Sequence, residues 1–267
     1  MSVTVETCTT ATEAARALGQ GAHYLGGGTI VMRRVNAGDQ SLRRLVRSTD
    51  PGLGAIRVTS GGVSVGAGVT MAQVCAHPDL GFLAPAAHAV GGPALRQMAT
   101  VGGNLFARAP YGDLAVVLLV LGAQAVTADG GTPRPLEEMW RAGRAGLVLS
   151  LEVPRPREPR ALGYAKVARV HPVGTPVISL AAYLPREGGR IRGARIAFTG
   201  MGATPRRAQA AERVLEGQAL DAATIDRAAQ VAAEGLEPID DALATAWYRR
   251  EVAGVHLGRL LQGMEHG

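Results

Sequence analysis

Residues 154–160 read Pro-Arg-Pro-Arg-Glu-Pro-Arg, three prolines and four charges in seven positions. Proline fixes φ and lacks an N–H donor, so neither a helix nor a central strand can run through such a stretch. It predicts a linker between two parts, 1–155 and 160–267. Beyond it, residues 162–170, 177–184 and 191–199 read as strands, with Arg186-Glu187-Gly188-Gly189 as a turn, and residues 206–215, 222–234 and 241–261 have helical spacing. Strands followed by helices imply an α+β arrangement, here a three-stranded antiparallel sheet with helices on one face.

Upstream of the linker, residues 11–19 have helical spacing and stop at Gly19, after which a short apolar strand runs into Gly26-Gly27-Gly28-Thr29. Ile56 and Val58 alternate with Val63 and Val65 on either side of Gly61-Gly62, which predicts a hairpin. Short helices over 69–75 and 82–90 precede a second glycine stretch, Thr100-Val101-Gly102-Gly103-Asn104. The apolar run 114–121 predicts a buried helix, with Pro110 and Asp113 suited to its first turn. That run is too short to span a bilayer, and the N-terminus has no basic-then-apolar leader, so a soluble cytoplasmic protein is expected.

Cys8 and Cys75 lie far apart and outside any CxxC pattern, and the six histidines show no HxxxH or HxH spacing, so no intrinsic metal is expected. A formal charge of +6 raises the question of nucleic acid, but the arginines are scattered and aromatic residues make up only 4% of the sequence, so no nucleic-acid contact is expected. Of the 28 Lys+Arg residues only Lys166 is lysine, which leaves 27 arginines. Against that bias, a lysine either remained by chance or marks a place where a compact ammonium is wanted and a planar guanidinium does not fit.

Each glycine loop offers closely approachable backbone N–H groups that can wrap a pyrophosphate. Neither is a GxGxxG fingerprint, and P-loop hydrolysis is excluded because Lys166 follows Tyr164-Ala165 and no glycine loop. One such loop is more often a tight turn than a ligand cradle. Two together favour the cradle.

HYLGGGTIVM (23–32) and ALRQMATVGGNLFARAPYGDLAVVLLVLGA (94–123) resemble the first and second FAD loops of the flavoprotein components of molybdenum hydroxylases, the carbon monoxide dehydrogenase and xanthine dehydrogenase family. GLVLSLEVP, YAKVARV and AWYRREVAGVHLGRLL follow in the family's order, so the resemblance extends over essentially the whole chain. It implies a two-subdomain FAD-binding domain (PCMH-like), with subdomains of about 1–53 and 54–155, and a C-terminal flavoprotein α+β domain over 160–267. Leu25, Gly26, Gly27, Gly28, Thr29 and Ile30 would surround the FAD pyrophosphate, and Thr100, Val101, Gly102, Gly103 and Asn104 would form the second clasp. Leu149 would contact the cofactor from the closing strand, and Asp113 would accept from a ribityl or ribose hydroxyl.

By the same resemblance Lys166 would tune the flavin, a cation near the isoalloxazine N1–C2=O edge stabilising the charge that reduction brings. Tyr164 shares its strand face, and the 171–176 loop would lie near the ring. Two positions depart from the family pattern: Ile30 stands where many relatives are polar or acidic, and Val170 replaces an arginine common after YxKxxR. The implied function is an FAD-carrying electron-transfer subunit that passes electrons from iron–sulfur clusters to an external acceptor. Its implied partners are an iron–sulfur subunit with two 2Fe–2S clusters and a large molybdopterin-binding subunit, in a dimer of heterotrimers. Two other readings stay open: a stand-alone FAD oxidoreductase of the same fold, with His171 or Tyr111 as its base, and a scaffold that has lost flavin.

Overall fold

The computed structural model describes residues 3–19, 21–143, 146–170 and 174–265. Its packing divides into two compact units, one built of Met1–Gly81, Gly92–Ala107 and Gly122–Pro154, the other of Phe82–Gly91, Arg108–Leu121 and Arg155–Gly267. The last cut falls on the proline-rich linker. Two upstream segments, Phe82–Gly91 and Arg108–Leu121, pack with the downstream residues.

In the first unit, β1 (Thr4–Cys8), β2 (His23–Tyr24) and β3 (Arg44–Ser48) form a parallel sheet in the order β1-β3-β2. Helix Ala11–Leu18 links the first two. Thr10 caps it, its side chain accepting from Glu13 N while the Glu13 carboxylate accepts from Thr10 N, and Ala11, Ala14 and Ala17 bury one face at three-residue spacing. They join Cys8, Val46, Leu53 and Leu147 in a small core.

The loop after helix Val31–Asn36 is pinned by Asp39, whose carboxylate accepts from the Ser41 hydroxyl and N–H and from Arg34. These bonds, the Ser41 hydroxyl first, hold the carboxyl at about 2 against an ordinary 3.8. A folded value below the unfolded one means that the stability it lends is present above pH 3.8 and lost as pH falls through about 2. Urea midpoints of the wild type and Asp39→Asn are therefore expected to differ at about pH 5 and to converge towards pH 2. A gap that stays constant over that range would refute the assignment.

The second sheet of this unit is antiparallel, with β4 (Ile56–Thr59), β5 (Gly62–Gly66), β6 (Gln124–Thr127), β7 (Arg134–Pro135) and β8 (Val148–Pro154) in the order β4-β5-β8-β6-β7. The expected hairpin is present, but its turn is Ser60-Gly61. Gly62 opens β5 instead, where a Cβ would come within 2.1 Å of the Val153 carbonyl oxygen.

The second unit carries β9 (Leu162–Ala168), β10 (Pro176–Tyr183), a small hairpin of β11 (Arg186–Glu187) and β12 (Arg190–Ile191), β13 (Arg195–Phe198) and β14 (Arg206–Arg207). The antiparallel sheet runs β14-β13-β10-β9. The three expected strands are there, and β14 adds a short fourth where the spacing predicts the start of a helix; that helix begins at Gln209.

Helix Ala246–Glu265 lies so close to one sheet face that a Cβ on Gly163 would meet Met264 Sδ at 2.6 Å. Tyr164 and Lys166 alternate to the other face, where helix Asp113–Leu121 packs on β10 and β13. Both faces are thus covered, not one as expected. This is why β10 is buried along almost its whole length, and why helix Asp113–Leu121 is apolar all round with every residue buried. Arg249 of the long helix is fully buried, donating to the carbonyls of Val177 at 2.9 Å, Ala244 at 3.0 Å and Ile239, and to Asp241 at 2.7 Å. It ties the loop before that helix to the start of β10.

Candidate functional site

Both glycine loops lie in the first unit, and they touch. A Cβ on Gly27 would fall 1.6 Å from the Met98 carbonyl oxygen, and one on Gly26 would meet the Thr100 hydroxyl at 3.1 Å. Gly28 has φ +72, a left-handed conformation that side chains disfavour. Thr100 stands at the junction: it caps helix Val101–Leu105, its hydroxyl accepting from Gly103 N at 3.1 Å. Gly102 N donates to Ala67 O at 2.8 Å, and Ala67 N donates to Leu149 O at 2.9 Å. Leu149 in turn packs against the small core. Residues 26 and 27 thus abut residues 98–100, and residues 100–104 are linked to Leu149 through Ala67.

The first loop is rich in unused donors. Among the described residues no partner is found for the backbone N–H groups of Gly26, Gly27, Gly28, Thr29 and Ile30. Successive N–H groups in such a turn make a concave, electropositive surface suited to phosphate oxygens. Nδ1 of His23, just upstream on β2, is buried and also lacks a partner among the described residues. In the sequence it is one scattered histidine among six, with nothing to single it out.

The second unit holds a buried polar cluster around Asp113. Oδ1 of Asp113 accepts from the Ser179 hydroxyl at 2.5 Å and the Tyr164 hydroxyl at 3.0 Å, and Oδ2 accepts from Lys166 Nζ at 3.3 Å. Lys166 Nζ also donates to the Ala89 carbonyl at 2.6 Å, just past the C-terminal end of helix Ala84–His88, where a cation is favoured. The side chains of Lys166 and Asp113 are only 8% and 6% exposed. Burial, with the Asp113 charge adding to it, pushes the Tyr164 phenol far above its ordinary value, so it stays protonated and donates.

Three of the roughly four acceptor positions of the Asp113 carboxylate are therefore taken by this chain's own side chains, which leaves at most one for a ribityl hydroxyl. Tyr164 does more than pack beside Lys166, because the two share one carboxylate. Ser179 is not among the residues that the motifs single out. Its signal is a hydroxyl in the middle of the apolar run Pro-Val-Ile-Ser-Leu-Ala-Ala. Of the loop expected near the flavin ring, residues 171–173 lie outside the described residues, and the candidate base His171 with them.

Paired glycine loops with open donors among the described residues, on a body of one parallel and one antiparallel sheet, make a cradle suited to the pyrophosphate of a dinucleotide. Residues 2–156 match the FAD binding domain in molybdopterin dehydrogenase, residues 166–264 match the CO dehydrogenase flavoprotein C-terminal domain, and the chain belongs to this flavoprotein family. It is 31% identical over 230 residues to the 6-hydroxypseudooxynicotine dehydrogenase complex subunit alpha of Paenarthrobacter nicotinovorans, covering 81% of this chain and 77% of that one. It is 29% identical over 182 residues to the carbon monoxide dehydrogenase medium chain of Afipia carboxidovorans, covering 65% and 62%. The fold is that of quinoline 2-oxidoreductase from Pseudomonas putida 86, with a TM-score of 0.88 at 22% identity over 100% of this chain and 98% of that one. Carbon monoxide dehydrogenase from Hydrogenophaga pseudoflava gives the same score at 24% identity over 99% and 97%. FAD is the cofactor of this family, and the residues fit it: the cradle has donors with no partner among the described residues for a pyrophosphate, and no side chain at Gly26, Gly27 or Gly28 to fill it.

Proposed function

We propose that this chain is the FAD-carrying electron-transfer subunit of a molybdenum hydroxylase complex, taking electrons from iron–sulfur clusters on a partner and passing them to an external acceptor. What carries the reading is the pair of glycine loops packed backbone to backbone, with five consecutive N–H groups that have no partner among the described residues. Bound FAD supplies the redox chemistry that joins a one-electron cluster to a two-electron acceptor. The chain's own residues bind and orient it. Residues 25–30 and 100–104 hold the pyrophosphate, Leu149 backs the cradle, and Lys166 presents its ammonium to the ring.

The other redox groups belong on partners, because Cys8 and Cys75 are too few to ligate a cluster. The partners are a subunit with two 2Fe–2S clusters and a large molybdopterin-binding subunit, assembled as a dimer of heterotrimers in the cytoplasm. The description of relatives as a complex subunit and a medium chain supports such an assembly. No helix among the described residues is long and apolar enough to cross a membrane.

FAD is expected to bind the purified chain, and FMN at least about a hundredfold more weakly, a difference of about 2.7 kcal/mol. Titration by flavin fluorescence measures both, and equal affinities would sink the pyrophosphate reading. A chemically reduced 2Fe–2S protein added without oxygen should bleach the FAD-loaded chain. Bleaching by a small organic donor alone would favour the stand-alone oxidoreductase.

A further inference from the structure

We infer that Tyr164 and Ser179 are positioning residues for the Lys166 ammonium, acting through the carboxylate of Asp113. The inference rests on the proposed role of Lys166 as the cation facing the flavin. An ammonium at the end of four rotatable bonds has no preferred place of its own, so its surroundings must hold it. Here strand geometry does so. Ser179 on β10 lies directly across from Lys166 on β9, and Tyr164 is two residues from Lys166 on the same face. All three side chains converge on Asp113, the first residue of the buried helix.

The two carboxylate oxygens divide the work. Oδ1 takes both hydroxyls, which stops the carboxylate turning about its last torsion, and Oδ2 is thereby presented to the ammonium at a fixed angle. The Ala89 carbonyl accepts a second N–H of the same ammonium. Two of the three ammonium donors are then occupied, and one is left for a ligand. If the hydroxyls only satisfied a buried carboxylate, their loss would lower stability and leave the ammonium where it is.

The single lysine makes the distinction measurable. In a FAD-free sample labelled with heavy nitrogen only in lysine, the wild type is expected to give one side-chain ammonium signal protected from exchange with water. Tyr164→Phe and Ser179→Ala should each shift that signal and speed its exchange by about tenfold, the size expected for losing one charge-assisted hydrogen bond. Ser179→Thr, which keeps the hydroxyl, should restore it. An unchanged shift and exchange rate in both single variants overturns the inference, and the two variants are independent should one fold poorly. The flavin midpoint potential of the FAD-loaded chain separates this result from the role of Lys166. If the ammonium responds to both substitutions but Lys166→Met leaves the potential unchanged, the positioning stands and the flavin-facing role falls.

Discussion

Gly27→Ala is expected to cost the chain its FAD. The added methyl would stand 1.6 Å from the Met98 carbonyl oxygen and 2.6 Å from its carbon, and neither belongs to a side chain that can swing away. One loop must therefore retreat from the other. Forced backbone shifts of this kind cost about 1–3 kcal/mol or more, and here the cost falls on the geometry that brings both loops to one ligand. An affinity loss on the order of a hundredfold follows, read by fluorescence titration and by the colour of the purified protein. Gly61→Ala is the matched control, because nothing lies within 4 Å of its would-be Cβ. Full FAD occupancy in Gly27→Ala would show that the loops need not meet.

Lys166→Met should lower both fold stability and flavin potential. With both partners nearly inaccessible, removing the ammonium leaves the Asp113 carboxylate uncompensated, a loss of about 3–5 kcal/mol when one member of a buried pair is deleted. Lys166→Met combined with Asp113→Asn should recover much of it, so urea unfolding of the FAD-free chain should rank the double variant above the single. Equal stabilities would mean that the two charges do not interact. In the FAD-loaded chain, each 1.4 kcal/mol of lost interaction with reduced flavin lowers the two-electron midpoint by about 30 mV. Asp113 offsets part of the lysine's charge from 3.3 Å, so the shift should be about that size and no larger. Lys166→Arg should rescue only in part, since a planar fork cannot occupy a space set by one carbonyl and one carboxylate oxygen.

What was legible in the sequence is what local chemistry dictates. Glycine clusters mark close backbone approach, alternation marks β4 and β5, and an unbroken apolar run marks helix Asp113–Leu121. Which surface such a helix covers is not local information: a helix apolar on every side carries no stripe to point at its partner, so its place on β10 and β13 could not be read. The same limit hid Ser179, whose partner Asp113 is 66 residues away. Gly61 and Gly62 look alike as letters, yet only one has a carbonyl from β8 against it. Arg249 was masked by composition, since one buried guanidinium among 27 arginines leaves no mark until its acceptors are seen.

Helix Asp113–Leu121 precedes the proline-rich segment in the chain but packs on β10 and β13, which follow it. A gene divided at that segment, the natural place to separate two modules, would strand the sheet without the helix that shields one of its sides. It would also part Lys166 from both Ala89 and Asp113. The downstream piece alone would therefore have a bare apolar surface, and recombination that swaps it between relatives without residues 82–91 and 108–121 would set the sheet against a helix from another sequence.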